Sequence, residues 1–536
     1  MLEVDPLLAA YQDASLEDGE VDDVIQEIMH FKEEGKNRRQ GTAPKAQDEL
    51  TALFNNENED TPPWYGADEM VIMALGNLSA KAESESPAQV PFSAPSVGTT
   101  SGNAPTTCEH PISTSLLLGY GVPEKRRSIG FTSNMDDTKP EKSEAVTYDG
   151  EGHLITVGST GSGKGVSCII PNLLTYTGPA FVIDIKGEAA LQTAGYRRDL
   201  MGQKVLIVDP WKLVVENTDA LNPLDSLDMY KPGYFEAALA LAGLILPVDA
   251  GEKKIDPHWA VRGRAIIAGL LMLIARHFPD HARHLQMLGD IFALRASDFA
   301  KLLVAMDRSP VPEIAQSVGQ ILAAPDKERA SIFSTILRAV TPWSSKFLVP
   351  AISKSNIKLD EVTEGVPLTI YFVVPPQYLK SHGNVLSAWI GTLLNALLKR
   401  TPGQNLPKTL FVLDEAANLG YMPQIPVFYS LARGYGVRVW TFWQSVSQLL
   451  TVYPEEYENL IDQAHVLQGF GITNYRMANQ IANLVGNVTG EELLNMPADQ
   501  CLVHCQTFPD RKPRFLTKPN YLTNLRLWGR SGISLN

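Results

Sequence analysis

The densest run of chemically capable residues is Gly158-Ser159-Thr160-Gly161-Ser162-Gly163-Lys164-Gly165, followed by Val166. Glycines at this spacing let the backbone turn its N–H groups inward on a phosphate chain, a following helix presents its positive end, and Lys164 can reach the outer phosphates. The run stands between an apolar strand-like segment, His153 to Val157, and a helix-like one from Val166. In that context Gly158 through Val166 reads as a P-loop for a nucleotide; a glycine-rich structural turn is the plainer alternative. The Ser or Thr that usually follows the lysine, whose hydroxyl binds Mg²⁺, is replaced by Gly165. Ser167 cannot simply stand in, because two residues further round a helix its side chain points elsewhere.

Hydrolysis needs a second, acidic site. Thr409-Leu410-Phe411-Val412-Leu413 reads as a buried strand, and it ends in Asp414-Glu415. Asp414 would hold the magnesium shell and Glu415 would polarise the attacking water. Taken alone, the two acids could equally be a strand end and a helix cap. Asp184 ends another strand, in Phe181-Val182-Ile183-Asp184-Ile185-Lys186-Gly187-Glu188, and an N-cap or loop anchor is as ready a reading for it as a nucleotide role. Cys501 and Cys505 flank His504 around an expected strand; with no second ligand pair at hand they read as packed thiols, not a zinc site. Trp440, Phe442 and Trp443 bracket a strand, and core packing is their default role.

These residues need elements to hold them. After Val146, short apolar runs at His153 to Val157, Ala180 to Asp184, Val205 to Val208, Leu368 to Val374, Thr409 to Leu413, Arg438 to Phe442, His465 to Gln468 and Gln500 to Val503 alternate with helical patterns. That alternation predicts a parallel sheet covered on both faces, an α/β fold. Helix-like stretches dominate from Leu227 to about Val349, at Tyr234 to Leu246, Trp259 to His277, Asp298 to Met306, Ile314 to Ala324 and Glu328 to Ala339, which predicts an all-α insertion. The domain boundaries expected are 1–80, an acidic N-terminal region; 81–140, a Ser/Pro-rich linker and lead-in; 141–225 plus 350–516, the nucleotide domain; 226–349, the all-α domain; and 517–536, a short tail.

At ~150 residues per domain, 536 residues suggest two to four domains. Four cysteines leave no disulfide framework and point to a reducing compartment. The net charge of −14 sits in residues 1–90, which hold 6 basic and 20 acidic side chains; the rest of the chain holds 40 of each. So acidic a head is expected to be largely disordered, with short helical stripes at Val21 to Met29 and Met70 to Leu78, and to contact protein rather than DNA. The apolar runs Ala237 to Val248 and Ala265 to Ala275 fall short of a spanning helix, so no membrane segment is expected.

The P-loop with Gly165 after its lysine, Pro171-Asn172-Leu173-Leu174, Asp184-Ile185-Lys186-Gly187-Glu188, Asn222-Pro223-Leu224-Asp225, Asp256-Pro257-His258-Trp259, Leu413-Asp414-Glu415-Ala416-Ala417-Asn418-Leu419-Gly420, Arg433-Gly434-Tyr435-Gly436-Val437-Arg438-Val439 and Gln444-Ser445 occur in one order over about residues 150–515. In these the chain resembles the type IV secretion coupling proteins of the TraG kind. The resemblance implies a RecA-like P-loop ATPase domain interrupted by an all-α domain, hexameric rings, and ATP and Mg²⁺ as cofactors. It implies that hydrolysis is coupled to passing DNA with an attached relaxase, or protein substrates, into a secretion channel. Residue by residue, it implies that Lys164 binds phosphate, Asp414 serves the magnesium, Glu415 activates water, Gln444 senses the terminal phosphate and Arg433 serves the neighbouring subunit's nucleotide. Members of that family usually begin with membrane-spanning helices, so this chain is expected to be a soluble member in the bacterial cytoplasm, at the cytoplasmic face of the inner membrane, and to meet the membrane only through a partner. An FtsK- or HerA-like DNA translocase and a non-catalytic docking platform are the competing readings.

Overall fold

The structure is a computed structural model, and it describes residues 113–122, 144–247 and 257–533. The acidic head with its two stripes, most of the linker and Asp256 lie outside those residues. The described residues divide into two compact units, one containing Leu294–Ser331 and the other Pro105–Ala293 with Ile332–Asn536.

The second unit is built on one sheet. Its strands are β1 Leu116–Gly121, β2 Ala145–Tyr148, β3 His153–Gly158, β4 Ala180–Asp184, β5 Lys204–Val208, β6 Leu368–Val373, β7 Thr409–Leu413, β8 Val437–Trp443, β9 Ala464–Phe470, β10 Gln500–Cys505 and β11 Arg514–Thr517. They lie in the order β2-β1-β11-β10-β9-β3-β8-β7-β4-β6-β5. The seven from β9 to β5 run parallel. Strands β3, β4, β6, β7 and β8 are buried along their whole length, as expected when helices cover both faces. Every strand expected from the sequence is present.

The sheet is not wholly parallel, which corrects the sequence expectation. β10, β11, β1 and β2 extend it as an antiparallel flank. Three of these were not expected. β1 is six residues inside what reads as linker, and its neighbours β2 and β11 are four residues each, too short for alternation to register. Asn172 fastens this flank to the parallel part: Leu117 N–H donates to its Oδ1 at 2.7 Å, and its Nδ2 donates to Leu117 O at 3.0 Å.

Four helices matter most around the sheet. α1, Ile170–Leu173, continues a π-helical turn at Gly165–Ile169 directly after the P-loop. α2, Glu188–Asp199, follows β4 and carries Arg197, fully buried yet satisfied by Leu173 O, Tyr176 O, Gly178 O, Thr369 Oγ1 and Gln203 Oε1 at 2.6–2.9 Å. Among the described residues, every element between β5 and β6 is helical. Of these, α3, Tyr234–Ile245, packs on α4, Pro257–His277.

α4 also departs from the sequence expectation. Over His258–His277 it is long and apolar enough to cross a membrane, with a window hydropathy of 1.4, and 61% of that window is buried in the protein. The apolar run from Ala265 is interrupted at Arg264, whose Nε donates to Leu246 O at 2.8 Å, so the helix continues through it.

In the other unit, the described helices are α5, Ala296–Asp307, α6, Pro312–Leu322, and the start of α7, Asp326–Val340. Pro312 opens α6, where its missing N–H costs nothing.

Candidate nucleotide-binding site

In an open parallel sheet, the carboxyl ends of neighbouring strands converge on a crevice. Here β3 delivers the glycine-rich loop and β7 delivers Asp414 and Glu415, while β8, lying between them, delivers Gln444. The loop is held in a tight turn. Gly163 takes φ 92°, a conformation side-chain-bearing residues resist, and Ser159 Oγ ties the loop to Gly471 O at 2.5 Å. Gly471, at φ 62° past the end of β9, is itself required, since a Cβ there would lie 2.1 Å from Ser162 Cβ. Among the described residues, the N–H groups of Thr160, Gly161 and Gly163 meet no acceptor, the donor set a phosphate chain requires.

Lys164 is buried in this loop, donating to Gly158 O at 2.8 Å and standing 3.6 Å from Glu415 Oε1. The other oxygen of Glu415 accepts from Gln444 Nε2 at 2.7 Å. Lys164, Glu415 and Gln444 thus form one chain of contacts across the crevice. Glu415 is aimed by its backbone, which adopts left-handed angles (φ 50°, ψ 48°) rare for a residue with a side chain and concentrated at functional sites. Gln444 is braced by Gln448, whose Oε1 accepts its N–H at 2.9 Å from α8, Val446–Val452.

Asp414 and Asp184 sit deeper. Burial raises the Asp414 carboxyl to about 6, with the Glu415 charge adding and Lys164 opposing. Burial likewise raises Asp184 to about 7, helped by Asp414 and Glu188. Asp184 Oδ2 accepts the Ala190 N–H at 2.8 Å in the first turn of α2, the loop-anchor role that its strand-end position suggests.

Against known families, the model described as "Type IV secretory system Conjugative DNA transfer" matches residues 123–521. The chain belongs to this family. The conjugal transfer protein TraG of Escherichia coli is 22% identical over 370 residues, covering 66% of this chain and 58% of that protein. The type IV secretion system-coupling protein VirD4 of Bartonella henselae is 23% identical over 346 residues, covering 64% and 54%. This coupling-family chain therefore spans somewhat over half the length of those relatives. Among solved structures, the plasmid coupling protein TrwB in complex with the ATP analogue ADPNP aligns with a TM-score of 0.55 at 17% identity, over 69% of this chain and 86% of that one. TrwB in complex with ADP and Mg²⁺ aligns at 0.51 and 16%, over 69% and 85%. The shared fold is the RecA-like P-loop fold.

In this family member, Arg433 does not join the other expected site residues. It lies exposed before the amino end of β8, whereas Gln444 follows the carboxyl end. Its Nη1 stands 3.4 Å from His465 Nε2, at the amino end of β9. The sequence reading missed two supports of the loop. Lys518 Nζ donates to Ser162 O at 3.2 Å, and the Tyr521 N–H donates to Val166 O at 3.3 Å. Both come from the segment after β11, where Tyr521 and Leu527 pack on Ile170, Leu174 and Tyr196. A lysine in a terminal segment carries no sequence signal of such a contact. Ser167 is buried, its Oγ 3.5 Å from where a Cβ on Gly163 would stand, so it lies under the loop. Cys168, Cys501 and Cys505 are buried free thiols. Trp440, Phe442 and Trp443 are core.

Proposed function

We propose that this chain is an ATP-hydrolysing coupling protein that recruits DNA–relaxase or protein substrates and drives them into a type IV secretion or conjugation channel. The observation that carries the reading is the contact chain Lys164–Glu415–Gln444 under a loop whose Thr160, Gly161 and Gly163 N–H groups meet no acceptor among the described residues. Lys164 and the loop amides would hold the phosphates, and Asp414, with the acids near it, would hold Mg²⁺. When bound, Mg²⁺ neutralises charge that develops on the phosphates. Glu415 would take the proton of the attacking water through Oε1, the oxygen that Lys164 approaches, while Gln444 fixes the carboxylate through the other.

Arg433 would act on the nucleotide of the next subunit in a head-to-tail ring, since it stands at the opposite end of the sheet from its own P-loop. A guanidinium suits that post because its planar donors match phosphoryl oxygens. Residues 141–225 with 350–516 would be the motor and 226–349 the substrate-reading part, at the cytoplasmic face of the bacterial inner membrane. Steady-state ATP hydrolysis with and without DNA, combined with pull-down of secretion-channel ATPases, tests this. Hydrolysis stimulated by DNA together with channel binding is expected. Absence of hydrolysis under conditions of saturating nucleotide would leave a docking platform, and DNA stimulation without channel binding would leave a free translocase.

A further inference from the structure

Gly165 is where the chain departs from the usual P-loop, and neither backbone strain nor crowding explains it. Gly165 is not among the positive-φ glycines, and a Cβ built there meets a single heavy atom within 4 Å. That atom is Glu188 Oε2, at 3.9 Å, an ordinary contact. The space where a Ser or Thr hydroxyl would stand therefore faces a carboxylate from another element.

The placement of Glu188 is fixed by the turn before it. Gly187 has φ 73°, and a Cβ there would come within 2.4 Å of Val214 Cγ2, so the chain enters α2 at one angle with Glu188 as its first residue. The carboxylate is exposed and, among the described residues, has no hydrogen-bond or ion-pair partner. Its charge is felt at Asp184, as is that of Asp414.

We propose that Glu188 supplies the oxygen toward nucleotide-bound Mg²⁺ that Gly165 lacks, reaching in from α2 while Asp414 approaches from β7. The inference rests on the ATP–Mg²⁺ reading above. Magnesium prefers oxygen ligands and is held by one or two carboxylates with phosphates and waters. A carboxylate differs from the usual hydroxyl by a full negative charge, and this gives the substitution a sign. It strengthens the hold on the metal and opposes the nucleotide's phosphates when the metal is absent.

The test is binding of a fluorescent ADP analogue to the full chain, titrated with Mg²⁺ and repeated in EDTA. Glu188→Gln should raise the Mg²⁺ concentration for half-maximal effect by about tenfold or more, while binding in EDTA stays level or tightens. Adding Gly165→Ser to Glu188→Gln should return the half-effect concentration toward the wild-type value, because the restored hydroxyl has room. An unchanged half-effect concentration in Glu188→Gln overturns the assignment. So does an equal loss of binding with and without Mg²⁺, which marks Glu188 as a structural support only. If the wild-type chain binds the analogue under neither condition, the nucleotide reading fails first and takes this inference with it.

Discussion

The position of Arg433 permits a quantitative test of subunit cooperation. β8 runs from Val437 to Trp443, and at ~3.3 Å per residue it separates its two ends by about 20 Å. Arg433 precedes one end and Gln444 follows the other, so no side-chain rotation brings this guanidinium to its own P-loop. Arg433→Ala should therefore lower hydrolysis by about 10³-fold or more, the range for a lost arginine finger. Lys164→Ala should abolish it through the phosphates. Each variant alone lacks a complete site, but their lesions fall on opposite partners of a shared interface. In a random equimolar head-to-tail ring, about a quarter of interfaces pair an intact loop with an intact arginine. The mixture should recover up to that fraction of wild-type turnover, measured as phosphate release after co-assembly is shown by cross-linking. Mixtures that co-assemble and recover nothing would refute action in trans.

Further expectations are narrower. Glu415→Gln should stay folded, keep nucleotide binding and lose at least ~10²-fold in hydrolysis, since it removes charge and not packing; turnover at the wild-type rate would remove Glu415 from the chemistry. Burial lowers His153 from 6.5 to about 4, so between those values the unfolded chain holds a proton that the folded chain refuses, and stability falls as pH falls. That contribution is on the order of 3 kcal/mol, and it acts against Asp184 and Asp414, whose raised carboxyls lose stability as pH rises. Urea unfolding at pH 7 and pH 5 should therefore show a smaller acid-induced loss in His153→Gln than in wild type, and an equal loss would contradict the assignment. Truncation after Thr517 removes Lys518, Tyr521 and Leu527, and at ~1.5–3 kcal/mol per buried side chain it should lower the unfolding midpoint and weaken nucleotide binding together.

The chemistry legible in the sequence was the chemistry written in contiguous residues. The P-loop needs its glycines in one run, and Asp414-Glu415 closes an apolar strand, so both announce themselves. The parallel strands are continuous buried runs such as Leu368 to Val373, equally plain. What stayed hidden depends on distant segments meeting. β1 and β11 are flank strands that pair with each other from opposite ends of the described chain, and Lys518 reaches Ser162 from 356 residues away. The π-helical turn at Gly165–Ile169 shifts side chains from the α-helical directions on which the reading of Ser167 relied. Glu188 lay within a run singled out for its resemblance, yet only the folded chain shows that it faces Gly165. The separation of Arg433 from Gln444 was contained in the strand register, since both flank the same seven residues.

That register also bears on timing. A central strand bonded on both sides behaves as an inextensible strut, because stretching it would break the ladders to β3 and β7 at once. Gln444 follows one end of it directly, and Arg433 lies in the 3₁₀ turn Ala432–Tyr435 that leads into the other. If the ring reading holds, any tilt that one subunit's nucleotide imposes on the strut is delivered at its far tip, inside the next subunit's site. Neighbouring sites would then fire in sequence around the ring, with the relay passing through a strand and the short turn before it.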